Sequence, residues 1–136
     1  MKKKEHEKKE KKNTSATVAR IALGAILVLF GLNKIVQFMP PPQLAEPAMT
    51  FFSALMATGY MWPLLIVVEL STGLMLLLNK STPLALVLLA PLSVNIVLFH
   101  IFLDPVAGIP AYVVAGLNLY LLFVNKKSYD SLCACK

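Results

Sequence analysis

Cysteine is absent from the first 132 residues, and the two present, Cys133 and Cys135, stand at the C-terminal end. No thiol pair lies where the chain is apolar, so thiol–disulfide chemistry of the chain's own is excluded. A C-x-C pair supplies two of the four ligands of a structural zinc, and His6 is the only other soft ligand in the tails. The ending Cys-Ala-Cys-Lys lacks the larger aliphatic positions of a prenylation box. Histidine is nearly as scarce: beyond His6 there is only His100. One histidine and no spaced cysteines leave no haem, flavin or iron–sulfur signature, no metal site and no catalytic set. Tryptophan occurs once, at Trp62.

Charge is missing from the middle of the chain. Between Arg20 and Lys126 the only basic residues are Lys34 and Lys80, and the stretches 39–60 and 104–109 contain none. The net charge of +6 therefore sits at the ends, above all in the first twenty residues with their seven Lys, Arg20 and three Glu. That excludes a nucleic-acid module, which needs a basic folded face with base-reading or stacking groups. Residues 1–16 read instead as a disordered basic tail with weak attraction to anionic headgroups.

What the chain has in excess is apolar sequence: 57% of 136 residues, gathered into four blocks within one domain, 17–125. The blocks cover about 17–38, 61–78, 83–103 and 106–124, and a bilayer core of about 30 Å takes ~20 helical residues. Pro110 shortens the fourth if it marks a helix start, since proline is accepted in a first turn. The first block is too long and too charged at Lys34 for a cleaved secretory signal. Short basic-free linkers alternating with basic ends place both termini, including 126–136, on the cytoplasmic side. The predicted fold is all-α: an integral membrane four-helix bundle, up-down, with a short interfacial helix after the first span. That helix is signalled by Glu46-Pro47, an apolar side with Phe51 and Phe52, and Gly59 as C-terminal cap, and at twelve residues it is too short to span. The lipid bilayer is the one partner the composition itself names.

Polar residues inside the spans carry what function there is. Glu69 lies mid-span, where a carboxylate costs about 2.5–3.5 kcal/mol on insertion scales and so needs a partner or a task. Arg20, Gly24, Leu27, Gly31 and Lys34 fall on one stripe of the first span, and its glycines admit a close neighbour. Lys34 either follows that stripe into the interior or snorkels to the outer headgroups. Trp62, Glu69 and Gly73 share an arc of the second span, whereas Asn95 points ~140° from His100 on the third. Pro91 is expected to kink that third helix. At a rise of about 1.5 Å per residue, Glu69, Asn95 and Asn118 fall in one layer and Lys34 with His100 in a second, nearer the outside. Gly24, Gly31, Gly73 and Gly116 are the expected packing points. The asparagines read most simply as interhelical hydrogen-bonding groups, and His100 as a neutral histidine bonded to a carbonyl.

Three patterns in order give a resemblance: Arg20-x3-Gly24-x6-Gly31-x2-Lys34, Glu69-Leu-Ser-Thr-Gly73, and Asn95-Ile-Val-Leu-Phe-His100 leading to Asp104-Pro105. Over about 17–125 the chain resembles the DoxX family of small four-helix membrane proteins. The resemblance implies a bacterial-type inner-membrane protein from a family named for association with a quinol oxidase and commonly described as redox-associated. It leaves room for a redox protein partner and for a homo-oligomer. The leading expectation is an accessory protein with a quinone as candidate ligand, bound by Lys34, Trp62, Glu69, Asn95, His100 and Asn118. The alternative is a small transporter or proton pathway through Lys34, Glu69 and His100; an enzyme ranks last.

Overall fold

Prolines and left-handed residues set the helix boundaries. In a computed structural model, which describes residues 1–134, helix α1 runs Lys2–Val36 and stops where Gln37 turns left-handed, at φ 55°. The Asn33 carbonyl accepts from Gln37 N at 2.8 Å and the Asn33 side chain accepts from Met39 N at 2.8 Å, closing the helix end before the three prolines. Helix α2, Glu46–Ala57, starts with Pro47 in its first turn and ends at Gly59, whose φ of 76° only glycine adopts without strain. Thr58 Oγ1 accepts from Met61 N, joining α2 to α3, Met61–Leu77. Helix α4, Thr82–Leu103, begins at Pro83 and stays helical through Pro91. Helix α5, Ile109–Val124, begins at Pro110 after a 3-10 turn at Val106–Gly108, so that proline is a start. A 3-10 turn, Lys126–Tyr129, and a last short helix, α6, Asp130–Cys133, close the described chain. There is no strand among the described residues. Cys133 is exposed, and Cys135 lies outside the described residues.

Among the described residues three helices are long and apolar enough to cross a membrane, and a fourth crossing is counted if α2 and α3 are taken together. Helix α3 alone has 17 residues. That corresponds to roughly 25 Å, just short of a hydrocarbon core. Helix α2 lies across it at 94°, the orientation expected of a helix resting along a membrane surface.

Residues 1–16 differ from expectation, being helical to Lys2 rather than disordered. The physical reason is continuity. The stretch has neither Pro nor Gly, and Glu5 and Glu7 precede Lys9 and Lys11 by four residues. The apolar helix behind it removes the cost of nucleation.

Helix α1 packs on α3, α3 on α4, α4 on α5 and α5 back on α1, while α2 touches α3 and α4. Leu23, Leu76, Leu86, Leu89 and Leu121 are fully buried at the centre. Leu29, Val67, Val94, Phe102 and Phe123 are exposed on the outside, as suits lipid rather than water. The closest approach is between α1 and α3. A Cβ on Gly24 would stand 3.0 Å from the Gly73 carbonyl, and one on Gly73 would stand 3.1 Å from the Gly24 carbonyl. A Cβ on Gly31 would meet the Leu70 side chain at 2.7 Å. Gly116 is different: it has nothing within 4 Å of its Cβ position, so its expected packing role is corrected.

Gly73→Ala should thus destabilise the protein by about 1–3 kcal/mol through overpacking against α1. Gly116→Ala should be neutral or stabilise by up to about 1 kcal/mol, since alanine is the better helix former. Thermal unfolding of both variants in detergent compares them; equal losses would show that the glycine seam is not the tight contact.

Candidate functional site

Antiparallel packing of α1 on α3 brings the end of one against the middle of the other. Lys34 Nζ lies 2.8 Å from Glu69 Oε1 and 2.7 Å from Oε2, an ion pair bonded to both carboxylate oxygens. The Glu69 side chain keeps 6% of its exposure and that of Lys34 20%, so the acid is enclosed and the ammonium reaches the surface on one side. Of the two routes open to Lys34, the inward one is taken. The Trp62 ring lies beside it, with Nζ 5.7 Å from the centroid, within cation–π range. Phe52 of α2 meets Trp62 edge-on at 5.0 Å, and Phe51 meets Phe99 of α4 at 5.5 Å, so aromatic contacts hold α2 over the pair.

The other polar residues separate. His100 Nδ1 bonds to the Asp104 carbonyl oxygen at 3.1 Å, the carbonyl-bonded histidine that the sequence suggests. That carbonyl accepts, so Nδ1 carries the proton. The ring packs between Phe99 and Tyr112 and makes no bond to Glu69, so His100 does not support the ion pair. Asn95 is exposed and reaches only its own helix, Nδ2 to the Pro91 carbonyl at 3.5 Å. Its expected interior role is corrected. The angular offset from His100 holds because α4 runs on through Pro91. Asn118 is buried and donates Nδ2 to the Leu86 carbonyl at 3.1 Å, an interhelical bond. Leu86 is four residues from the start of α4, so Asn118 lies in the opposite half from the ion pair. The shared layer fails because α5 starts late, after the Asp104–Gly108 turn, and its register against α4 cannot be counted from Val106.

Sequence reasoning missed Asp104 as a structural acid. Its side chain is buried, with Oδ2 accepting from Ala45 N at 2.8 Å and Oδ1 from Ala107 N at 3.3 Å. Ala45 is the N-cap residue of α2, so the carboxylate satisfies a helix-end donor and meets the positive end of the helix dipole. The available signal was Asp104-Pro105 closing the third motif, in a loop with no cation to pair. Ser93 is a second surprise, a buried hydroxyl without a hydrogen-bond partner among the described residues. Among the described residues no group of three His, Cys, Asp or Glu could hold a metal.

A family model, DoxX, matches residues 15–101, more than half of the chain. The chain belongs to the DoxX family. The match takes in the glycine seam, the Lys34–Glu69 pair and nearly all of α4, and it stops before Asp104 and α5. With the apolar helices it identifies a multi-pass membrane protein. No curated protein and no solved structure matches the chain.

The ion pair makes a sharp stability prediction. Lys34→Met or Glu69→Gln alone strands one polar partner in a low-dielectric setting and should cost on the order of 3–5 kcal/mol. The two together should cost less than either alone. Unfolding in detergent measures the cycle; strictly additive losses would mean that the pair is not coupled.

Proposed function

We propose that this DoxX protein is an accessory, redox-associated subunit of the cytoplasmic membrane that holds a quinone-like amphipathic molecule at Lys34. The single observation that carries the reading is the one-sided exposure of the Lys34–Glu69 pair beneath α2. Lys34 has three N–H donors and gives two to Glu69, leaving one for a carbonyl oxygen of a ring. Trp62 and Phe52 offer the apolar wall such a ring stacks on. His100 and the two asparagines, expected in the same pocket, have no part in this version, since each is bonded elsewhere. The bundle is taken as up-down, with α2 on the outer surface and both termini cytoplasmic, which the lysine distribution supports. Electron transfer is left to a redox protein partner, because the sequence carries no redox-group signature of its own.

The transport alternative is disfavoured by what lies beneath the pair. From Glu69 to the end of α3 is about 12 Å at the helical rise per residue. That depth is filled by Leu23, Leu27, Leu76, Leu86, Leu89 and Leu121. The polar groups within it, Thr72 and Asn118, are bonded to carbonyls. A proton relay needs a chain of exchangeable groups, and Ser93 is a single link.

Trp62 is the only tryptophan, so its fluorescence reports on this site alone. A soluble quinone analogue should quench it in the detergent-solubilised protein and do so at least about tenfold more weakly after Lys34→Met with Glu69→Gln. Equal quenching in both would sink the ligand reading. Orientation is checked separately by placing cysteines at Asn13, Gln43, Ala107 and Ser128 in a chain lacking Cys133 and Cys135. An impermeant thiol reagent should label 43 and 107, and not 13 or 128, in intact cells; the reverse pattern would overturn the orientation.

A further inference from the structure

At the other end of the bundle from Lys34 an open cavity forms where α1, the α3–α4 turn, the start of α4 and the end of α5 meet. Its lining includes Asn13, Arg20, Asn79, Thr82, Leu121 and Val124, and no acidic side chain among the described residues. Arg20 is a cation without a carboxylate partner; the one ion pair among the described residues is Lys34–Glu69. Arg20 Nη1 donates to the Leu76 carbonyl, with Leu77 O at 3.5 Å, and so caps the C-terminal end of α3. The guanidinium's other N–H groups make no hydrogen bond among the described residues.

The neighbouring polar groups divide into satisfied and free. Thr17 donates to Asn13 O, Asn125 donates to Leu121 O, and Thr82 donates to Asn79 Oδ1 at 3.2 Å. With its oxygen engaged, Asn79 keeps a free amide donor, and the Asn13 side chain has no partner among the described residues. Arg20, Asn13 and Asn79 therefore present N–H donors from two segments to one space that supplies no acceptor of matching charge. The first turn of α4, a 22-residue helix, opens on the same space and adds the positive end of its dipole. A ligand suited to it is anionic, accepts hydrogen bonds from Arg20, Asn13 and Asn79, and presents oxygens in several directions. A tetrahedral phosphate does so better than a planar carboxylate, and arginine binds it through paired donors.

We propose that the cavity around Arg20 binds a phosphate group, either that of an anionic phospholipid or a soluble phosphate. Arg20 sits about 5 Å along α1 from Thr17, where the apolar block begins, so the cavity lies at the level where headgroups meet acyl chains. Val124, half-buried on the lining, supplies apolar surface for a lipid. The site is fourteen residues from Lys34 along α1, about 21 Å, and is independent of the quinone reading.

The test is thermal unfolding of the full chain in detergent, titrated with phosphatidylglycerol in one arm and inorganic phosphate in the other. The lysines of 2–12 attract any anionic surface, so the readout is the difference between the native protein and site variants. The apparent affinity should fall about tenfold in Arg20→Gln. Because that change also uncaps α3, a second variant, Asn13→Ala with Asn79→Gly, leaves the cap intact. Glycine suits the left-handed backbone of Asn79, at φ 53°. This variant should weaken binding in the same arm. A response to phosphatidylglycerol alone assigns the lipid, and one to inorganic phosphate assigns a soluble ligand. No response in either arm, or titrations unchanged in both variants, overturns the proposal.

Discussion

A carboxylate enclosed in a membrane helix cannot stand alone, and the Lys34–Glu69 pair is the constraint around which the rest is arranged. Its cost falls only if the ammonium reaches both oxygens. The contacts at 2.7 Å and 2.8 Å meet that condition. Reaching them requires α1 and α3 to lie closer than ordinary side chains allow. Gly24, Gly31 and Gly73 provide that approach, which is why charge and glycines share one stripe of α1. The ion pair and the glycine seam are two parts of one contact.

The buried carboxylates, Glu69 and Asp104, gather toward one end of the bundle. Lys34, Glu69, His100 and Asp104 lie toward the end covered by α2, while the fully buried leucines fill the layers beyond. Asp104 holds the chain entering α2, and Phe52–Trp62 and Phe51–Phe99 hold its body. Two backbone N–H groups and a helix N-terminus stabilise the Asp104 carboxylate without a cation. This accounts for an acid in a loop that has no lysine or arginine.

Much of this was legible in the sequence, for identifiable reasons. The spans could be read because length and apolar content respond to one strong constraint, the bilayer. Pro47, Pro83 and Pro110 could be read as starts because proline tolerates few other helix positions. Glu69 demanded a partner on energetic grounds, and the inward route open to Lys34 offered one. What failed depended on relations between helices. Asn118 was misplaced because its depth was counted along its own span, while the turn at Asp104–Gly108 fixes where that span begins against α4. Gly116 and Asn95 look like interface residues by type, but which side of a helix is covered is set by neighbours that composition does not name. The helical start of α1 was missed because a charge-rich segment was judged as an isolated chain rather than as the continuation of a helix already formed.

The seam between α1 and α3 also limits how the molecule can move. Arg20 engages the last carbonyls of α3, Gly24 meets Gly73, and Lys34 meets Glu69, so the two helices are held at three points along their seam. A slip of one turn, about 5.4 Å, would separate both cations from their partners and drive side chains into the glycine positions. The element free of that lock is α2, which packs on α3 and α4 and is anchored by one carboxylate and two aromatic pairs. Helix α2 therefore covers the Lys34–Glu69 pair from outside the α1–α3 seam, held by contacts that the seam does not share.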